Sequence, residues 1–239
     1  MSTNELFTPE YDILLSARHV AAQLDMPAEI YRDNLMLLSE HYQRLVRETY
    51  RLITRSDRAE KELTRLNTQL HTLAVELEYK ATHDPLTDIF NRRAIIDLVD
   101  ETLAQKPAAL IVLDIDHFKQ VNDTFGHPTG DTVICNLVSR IREVLQGQGY
   151  IGRVGGEEFT ILLSEYTLMQ AVSIAEQIHH SLNQTPLLPQ RKVTASFGIS
   201  WTPAQARFDT LYSIADNALY RAKNKGRNRV EYSVDAIIE

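Results

Sequence analysis

Residues 150–163, YIGRVGGEEFTILL, consist of two short β-rich apolar runs on either side of a Gly-Gly pair. A glycine-containing turn lets Tyr150–Val154 and Phe159–Leu163 pair as a hairpin. Further short β-rich runs occur at Ala109–Leu113 and Val193–Ser200, and helical patterns alternate with them. This alternation predicts an α/β (α+β) fold in which helices flank a mixed central sheet.

The helical patterns of this region cover three segments, at Thr132–Leu145, Leu168–Leu182 and Phe208–Ala222. Cys135 lies in the middle of the first segment, and we expect it in the core. His179 and His180 lie on the second without acidic residues at metal-site spacing, and we expect them on the surface.

The preceding part of the chain has a different pattern, since Tyr31–Tyr79 contains no proline or glycine. Such a length predicts a long helical rod or a helical hairpin. Heptad core positions are occupied by Leu45, Leu52, Ala59, Leu66 and Leu73, and by Thr49, Ser56, Leu63, Leu70 and Leu77. The leucines from 63 to 77 alternate at spacings of three and four, which predicts an intermolecular coiled coil. An amphipathic helix packed on its own domain is the alternative.

These patterns divide the chain into two regions. Residues 1–80 are predicted to be a helical N-terminal region with a coiled-coil stalk, and residues 81–239 a mixed α/β domain. Within the first region, Tyr11–Leu24 is predicted to form a short amphipathic helix that ends before Pro27.

Composition excludes several classes of protein. The net charge of −7 over 239 residues argues against a nucleic-acid-binding coat, which needs a basic surface. No apolar run approaches the roughly 20 residues of a membrane span, and the polar, acidic N-terminus does not resemble a secretory signal. Cys135 is the only cysteine, so an internal disulfide is excluded. We therefore expect a cytoplasmic protein.

Three polar clusters carry possible chemistry. Asp114–Lys119 follows a buried apolar run, Gly155–Glu158 forms the hairpin turn, and Lys223–Asn228 follows the last helix. Oxygen ligands in small number suit Mg²⁺, and cations can bind a triphosphate. Each cluster alone is also compatible with an ordinary turn or helix end. Together they indicate metal-assisted phosphoryl transfer without a protein nucleophile.

Residues 81–232 resemble the GGDEF domain of diguanylate cyclases in four ordered motifs. The motifs are Asp84–Arg93 (DPLTDIFNRR), Asp114–Asp131 (DIDHFKQVNDTFGHPTGD), Gly155–Phe159 (GGEEF) and Ala215–Asn228, which contains ADNALY, Lys223 and GRN. The resemblance implies a nucleotide-cyclase, palm-like fold. It also implies an enzyme that condenses two GTP molecules into cyclic di-GMP and two pyrophosphates.

The resemblance assigns roles by position. Mg²⁺, with Mn²⁺ as a possible substitute, would be bound by Asp114, the carbonyl of Ile115, Glu157 and Glu158. Catalytic roles would fall to Glu157, Glu158 and Lys119. Asn122 and Asp131 would bind the guanine edge, with His127 and Phe118 near the nucleotide. Lys119, Lys223 and Arg227 would bind phosphates. Gly155, Gly156 and Phe159 belong to the signature, and Asp116 and Asn91 are expected to be supporting residues.

The resemblance also implies a homodimer with one GTP in each domain, held and regulated by the stalk. Thr49, Ser56 and Ala59 weaken the upstream seam, so an activating protein on the N-terminal helices is a possible partner. Many family members carry a product-inhibition site at the position of Gln146–Gly149, and this chain lacks it. The alternatives are a degenerate receptor that binds GTP or cyclic di-GMP without turnover, and a scaffold with a vestigial cyclase fold.

Overall fold

The computed structural model describes residues 8–233. The chain divides into two compact units after Ala74, here called the helical unit and the sheet unit. No helix in the described part combines the length and the apolar character that a membrane span requires. The N-terminal residues before Thr8, which entered the argument against a secretory signal, lie outside the described range.

Two helices account for residues 8–74 of the helical unit, apart from the short link between them. Helix α1 spans Thr8–Ala21, and helix α2 spans Ala28–Thr82, with its last residues in the sheet unit. The predicted rod is therefore confirmed, and the hairpin alternative for Tyr31–Tyr79 is wrong. The short helix predicted at Tyr11–Leu24 forms three residues earlier than expected at each end. Pro27 immediately precedes α2, where its fixed backbone angle is tolerated.

The helical unit has little core of its own. Helix α1 lies beside the first half of α2, where Glu10 forms a 3.2 Å ion pair with Arg44. Neither helix contains a buried residue in the described range. The seam leucines of α2 are 44–69% exposed, and they are Leu63, Leu66, Leu70, Leu73 and Leu77. Apolar side chains on this face are thus available to a partner.

The sheet unit contains six strands in the order β1-β3-β4-β2-β5-β6. They are β1 (Phe90–Asn91), β2 (Ala108–Ile115), β3 (Tyr150–Arg153), β4 (Glu158–Ser164), β5 (Ala195–Thr202) and β6 (Val230–Tyr232). The β1–β3 and β5–β6 pairs are parallel and the other three pairs are antiparallel. The mixed central sheet is confirmed, and β3 and β4 form the predicted hairpin.

Five helices complete the unit. They are α3 (Arg92–Leu103), α4 (Phe118–Phe125), α5 (His127–Leu145), α6 (Leu168–Gln184) and α7 (Phe208–Asn224). The three helices predicted from the sequence correspond to α5, α6 and α7. Cys135 on α5 was expected in the core, but it is half-buried, with its Sγ 3.5 Å from the carbonyl oxygen of Leu86.

Strand β2 decides the layering because all eight of its residues are buried. Alternate side chains point to opposite faces of a strand. Ile111 and Leu113 accordingly pack into the core formed with α4, α5 and α6, while Leu110 and Val112 pack into the core formed with α3 and α7. A central strand covered on both faces ends at a fixed point, and Asp114 lies at that end.

Helix α7 approaches the sheet closely at one residue. A Cβ added at Gly198 on β5 would lie 2.1 Å from the carbonyl oxygen of Ala215 and 2.3 Å from the backbone nitrogen of Leu219. Only glycine permits this contact. The contact fixes the end of α7, and therefore Lys223, beside the end of β2.

Candidate active site

Three carboxylates meet where β2 ends, and we call Asp114, Glu157 and Glu158 the acidic cluster. Asp114 pairs with Glu158 in the β2–β4 ladder. The backbone nitrogen of Ile115 donates to the carbonyl oxygen of Glu157 at 3.2 Å. Asp114 is only 5% exposed, and the two glutamates are half-buried. The structure thus brings together the carboxylates that the sequence assigned to a metal.

The cluster contains more negative charge than its surroundings neutralise. Burial raises the pKa of Asp114; the ammonium of Lys223, 2.9 Å away, opposes this, and the charges of Glu158 and Asp116 add to the rise. The pKa of Glu157 is raised by burial, then by Asp114, with Lys223 opposing. A cation bound between these groups would lower both pKa values.

The donor set fits a hard divalent cation with few protein ligands. Within residues 8–233, no group of three or more His, Cys, Asp or Glu side chains is placed so that it could hold a metal ion by itself. Mg²⁺ is usually bound by one or two carboxylates, with water and substrate phosphates completing its shell. The acidic cluster therefore fits Mg²⁺ better than Zn²⁺, which prefers nitrogen and sulfur ligands in a closed site.

The signature turn, Gly155–Glu158, is held by contacts from both sides. A Cβ at Gly155 would lie 2.6 Å from the Glu158 Oε2, so this glycine leaves room for the carboxylate. Arg153 donates from Nη2 to the carbonyl oxygen of Gly156 at 2.8 Å, and Arg92 donates to that of Val154 at 3.0 Å. These bonds fix the backbone that carries two members of the acidic cluster.

Arg153 is in turn held by the first motif of the domain. Its Nη1 lies 3.2 Å from Oδ1 of Asp84, and both side chains are 16% exposed. Asp84 also accepts hydrogen bonds from the backbone and hydroxyl of Thr87. Burial raises the pKa of Asp84, but Thr87 and Arg153 outweigh it and hold that pKa below its ordinary value. Sequence reasoning assigned no role to Arg153, because a lone arginine in a strand gives no signal.

The side chains assigned to guanine lie on α4 and α5. The Oδ1 of Asn122 is buried and accepts no hydrogen bond within the described chain. A Cβ at Gly130 would lie 2.0 Å from this oxygen, so glycine is needed beside it. Buried acceptors are nearly always satisfied, which suggests that a donor group on a ligand binds Asn122.

The other assigned residues surround this point on α4 and α5. Asp131 and His127 are exposed in the first turns of α5, and Lys119 is exposed on α4. Phe118 differs from them because it is buried at 7% exposure, with its ring 3.1 Å from the position of a Cβ on Gly130. Gly130 thus lies against both the Phe118 ring and the Asn122 side chain.

The assigned phosphate cations lie at the end of α7. Lys223 contacts Asp114, as described above, while Arg227 lies in the loop that follows the helix. The backbone nitrogen of Arg227 donates to the carbonyl oxygen of Ala222 at 3.0 Å, which turns the loop back over the helix end. Lys225 forms an ion pair with Glu231 instead.

Comparison with known proteins agrees with this geometry. Residues 81–229 match the family described as "Diguanylate cyclase, GGDEF domain". The chain is 43% identical over 160 residues to the probable diguanylate cyclase DgcT of Escherichia coli K12. That alignment covers 63% of this chain and 35% of DgcT. The chain spans less than half the length of the curated relatives that it matches.

Two solved structures share more than the sheet unit. The coiled coil and GGDEF domain of DgcB from Caulobacter crescentus, in complex with c-di-GMP, is 31% identical with a TM-score of 0.68. The match covers 76% of this chain and 99% of the DgcB chain. Diguanylate cyclase SiaD from Pseudomonas aeruginosa, in complex with its activator SiaC, is 26% identical with a TM-score of 0.62. This second match covers 96% of this chain and 89% of the SiaD chain.

Proposed function

The chain belongs to the GGDEF family of diguanylate cyclases, and from this premise we propose that it condenses two GTP molecules into cyclic di-GMP and two pyrophosphates. The observation that carries this proposal is the acidic cluster. Asp114, Glu157 and Glu158 converge beside Lys223, and burial raises the pKa values of Asp114 and Glu157. Such a cluster at the end of a rigid strand suits the binding of a metal–triphosphate complex.

In the proposed site, Asp114, Glu157, Glu158 and the Ile115 carbonyl hold Mg²⁺. When bound, the ion would supply charge neutralisation at the α-phosphate of GTP and would lower the pKa of the attacking hydroxyl. Lys119, Lys223 and Arg227 bind phosphate oxygens, with Lys119 at the developing negative charge. The Asn122 amide both donates to and accepts from the guanine edge, and the Asp131 carboxylate accepts from its N–H groups.

The reaction joins two nucleotides, so two sheet units are required. The 3′-hydroxyl of each GTP attacks the α-phosphorus of the other, a new P–O bond forms, and the bond to pyrophosphate breaks. Glu158 is suited to take up the hydroxyl proton. Most of the acceleration then comes from alignment and charge neutralisation, and one chain alone offers only half of the alignment.

We propose that the seam leucines supply the missing alignment by holding two chains in a parallel coiled coil. The exposure of these leucines supports this, as does the similarity to a coiled-coil relative. The apolar groove between α1 and α2, lined by Leu14, Leu38 and Tyr42, has a volume of about 280 Å³. Because the similarity to SiaD in complex with its activator extends over these helices, the groove also suits an activating protein. The reaction is proposed to occur in the cytoplasm, where GTP is available.

The main alternative is a receptor that binds GTP or cyclic di-GMP without turnover. Incubation of the purified protein with GTP, with and without Mg²⁺, followed by chromatography of the nucleotides separates the two. Our proposal requires cyclic di-GMP and pyrophosphate in a 1:2 ratio, formed only with the divalent cation. Saturable GTP binding without product would favour the receptor.

A further inference from the structure

The loop that carries Arg227 has an unusual backbone. Three successive residues after α7 have positive φ angles: Gly226 at 105°, Arg227 at 64° and Asn228 at 48°. Glycine adopts this region freely and asparagine tolerates it, but Arg227 is strained there. Strained residues persist only when the surroundings fix them, and such residues cluster at functional sites. The contacts that fix this loop therefore need to be identified.

The side chain of Asn228 is held by two residues of α6. Asn183 and Asn228 exchange reciprocal amide hydrogen bonds of 3.0 and 3.1 Å. The Nε2 of His179 lies 2.9 Å from the carbonyl oxygen of Asn228 and 3.0 Å from its Oδ1. A carbonyl oxygen only accepts, so Nε2 is the donor. His179 was expected on the surface with His180, but this bonding leaves it half-buried.

The backbone of Asn228 is held by Asp116, which directly follows β2. The nitrogen of Asn228 donates to Oδ2 of Asp116 at 3.0 Å. Asp116 is 5% exposed and also accepts 2.7 Å hydrogen bonds from Thr194 and Ser196. Asp116 lies two residues beyond Asp114, so the loop is fixed in relation to the end of β2.

We propose that Asn228 is a positioning residue for the phosphate site, and that Asn183 and His179 act through it. Asn228 holds the turn in which the backbone of Arg227 folds back onto the end of α7, the helix that carries Lys223. Helix α6 contributes no assigned site residue, yet it thereby supports the binding of the triphosphate. This inference rests on the proposed function in one respect, namely that the triphosphate of GTP is the ligand of Arg227.

The test is Asn228→Gly in the full-length protein. Glycine relieves the positive-φ strain and removes the side-chain hydrogen bonds, so strain relief and loss of positioning predict opposite results. Gln205→Gly is the matched control, since Gln205 is exposed with φ of 70° and lies outside the site. Asn183→Ala is the second variant, because it removes the amide partner while the loop sequence stays intact.

Affinity for GTP and for guanosine is measured by calorimetry without turnover, in Ca²⁺ in place of Mg²⁺. We expect Asn228→Gly and Asn183→Ala each to weaken GTP binding about tenfold, as for a displaced charge-assisted contact. Guanosine affinity should stay within about twofold, because the guanine residues are untouched. The double variant should bind GTP no more weakly than Asn228→Gly does, since the two residues act as one unit. In Mg²⁺, the KM for GTP should rise more than kcat falls.

Two results would overturn the inference. The first is wild-type GTP affinity in both Asn228→Gly and Asn183→Ala. The second is an equal loss of GTP and guanosine affinity, which would indicate general damage to the fold. If Asn228→Gly fails to fold, the same two criteria apply to Asn183→Ala. A wild-type protein that binds GTP but forms no product would overturn the proposed function and leave this inference standing.

Discussion

The helical unit and the sheet unit differ in how much of their apolar surface they bury. In the sheet unit, every residue of β2 is buried and each of α3 to α7 contributes buried side chains. In α1 and α2, no described residue is buried, although leucine and tyrosine side chains are frequent. The sheet unit therefore specifies its own fold, whereas the helical unit presents an apolar surface that another chain can cover.

This difference matches a division of roles. In the proposed function, the sheet fixes the acidic cluster, the side chains assigned to guanine and the cations assigned to phosphate in one half-site. The helices, with their exposed seam, are suited to bring a second half-site into position. Substitutions in the two units should therefore separate chemistry from assembly.

The largest effect is expected for Glu157→Gln in the sheet unit. This change removes a negative charge from the proposed metal site, and loss of a metal ligand should lower kcat by about a thousandfold or more. The dimer should persist because the seam is unchanged. Glu101→Gln is the control, as Glu101 is an exposed carboxylate on α3. More than a tenth of wild-type turnover in Glu157→Gln would remove this residue from the metal site.

The second largest loss of activity is expected for substitutions of the seam leucines. Leu66→Lys combined with Leu70→Lys places four charges in the proposed dimer core, where each buried leucine contributes about 1.5–3 kcal/mol. Sedimentation should show monomers, product formation should fall by about a hundredfold, and GTP affinity should be unchanged. Thr64→Lys with Thr68→Lys, on the opposite face of α2, should remain dimeric and active. A fully active dimer in the seam variant would show that another surface joins the chains.

A smaller effect is expected at the contact between the first motif and the signature turn. Asp84→Asn breaks the half-buried pair with Arg153 and should lower the free energy of unfolding by about 1–3 kcal/mol at pH 7. Asp97→Asn is the control, since its pair with Arg93 is exposed and 3.8 Å long. Urea unfolding of the three proteins measures the difference, and equal stability of Asp84→Asn and wild type would contradict a structural role.

The same pair should give a defined pH dependence. The folded pKa of Asp84 is below its unfolded value of about 3.8, so its contribution is present above that pH. The stability difference between wild type and Asp84→Asn should therefore be constant from neutral pH to about pH 5. It should shrink as the pH falls through the folded pKa. A stability difference that grows as the pH falls would contradict a lowered pKa of Asp84 in the folded state.

Added cyclic di-GMP is expected to have the smallest effect on the turnover rate. Gln146 and Gly149 occupy the positions of the family's inhibitory arginine and aspartate, so no bidentate guanidinium binds cyclic di-GMP there. Turnover at saturating GTP should stay within about twofold of its initial rate at micromolar product, as expected for weak competition. Non-competitive inhibition below micromolar product would reveal a different inhibitory surface.

Much of the sheet unit could be predicted from the sequence, for a clear physical reason. Strands β2, β4 and β5 have seven or eight residues that are mostly buried, β3 is indicated by the Gly-Gly turn after it, and α5 to α7 have full helical periodicity. Strands β1 and β6 contain only two and three residues, and tertiary pairing rather than local pattern creates them. Helices α3 and α4 were not predicted either, because α4 has only eight residues and α3 begins inside the first motif.

The contacts around the site were harder to predict. Asp114, Glu157 and Glu158 were grouped from the sequence, and the structure places them together. The links from Asp84 to Arg153 and from His179 to Asn228 join residues 69 and 49 positions apart. No local pattern encodes such contacts, since they depend on how separate elements pack. The predicted boundary between residues 80 and 81 remains a prediction, as do the individual site roles.

The central claim is that each sheet unit holds half of a cyclase site and that the helices bring two such halves together. It is tested most directly by the rate of cyclic di-GMP formation per chain, measured from nanomolar to micromolar protein with saturating GTP and Mg²⁺. Sedimentation at the same concentrations gives the dimer fraction. We predict that the rate per chain falls in proportion to the dimer fraction on dilution. A rate per chain that is unchanged where only monomers remain would contradict the account.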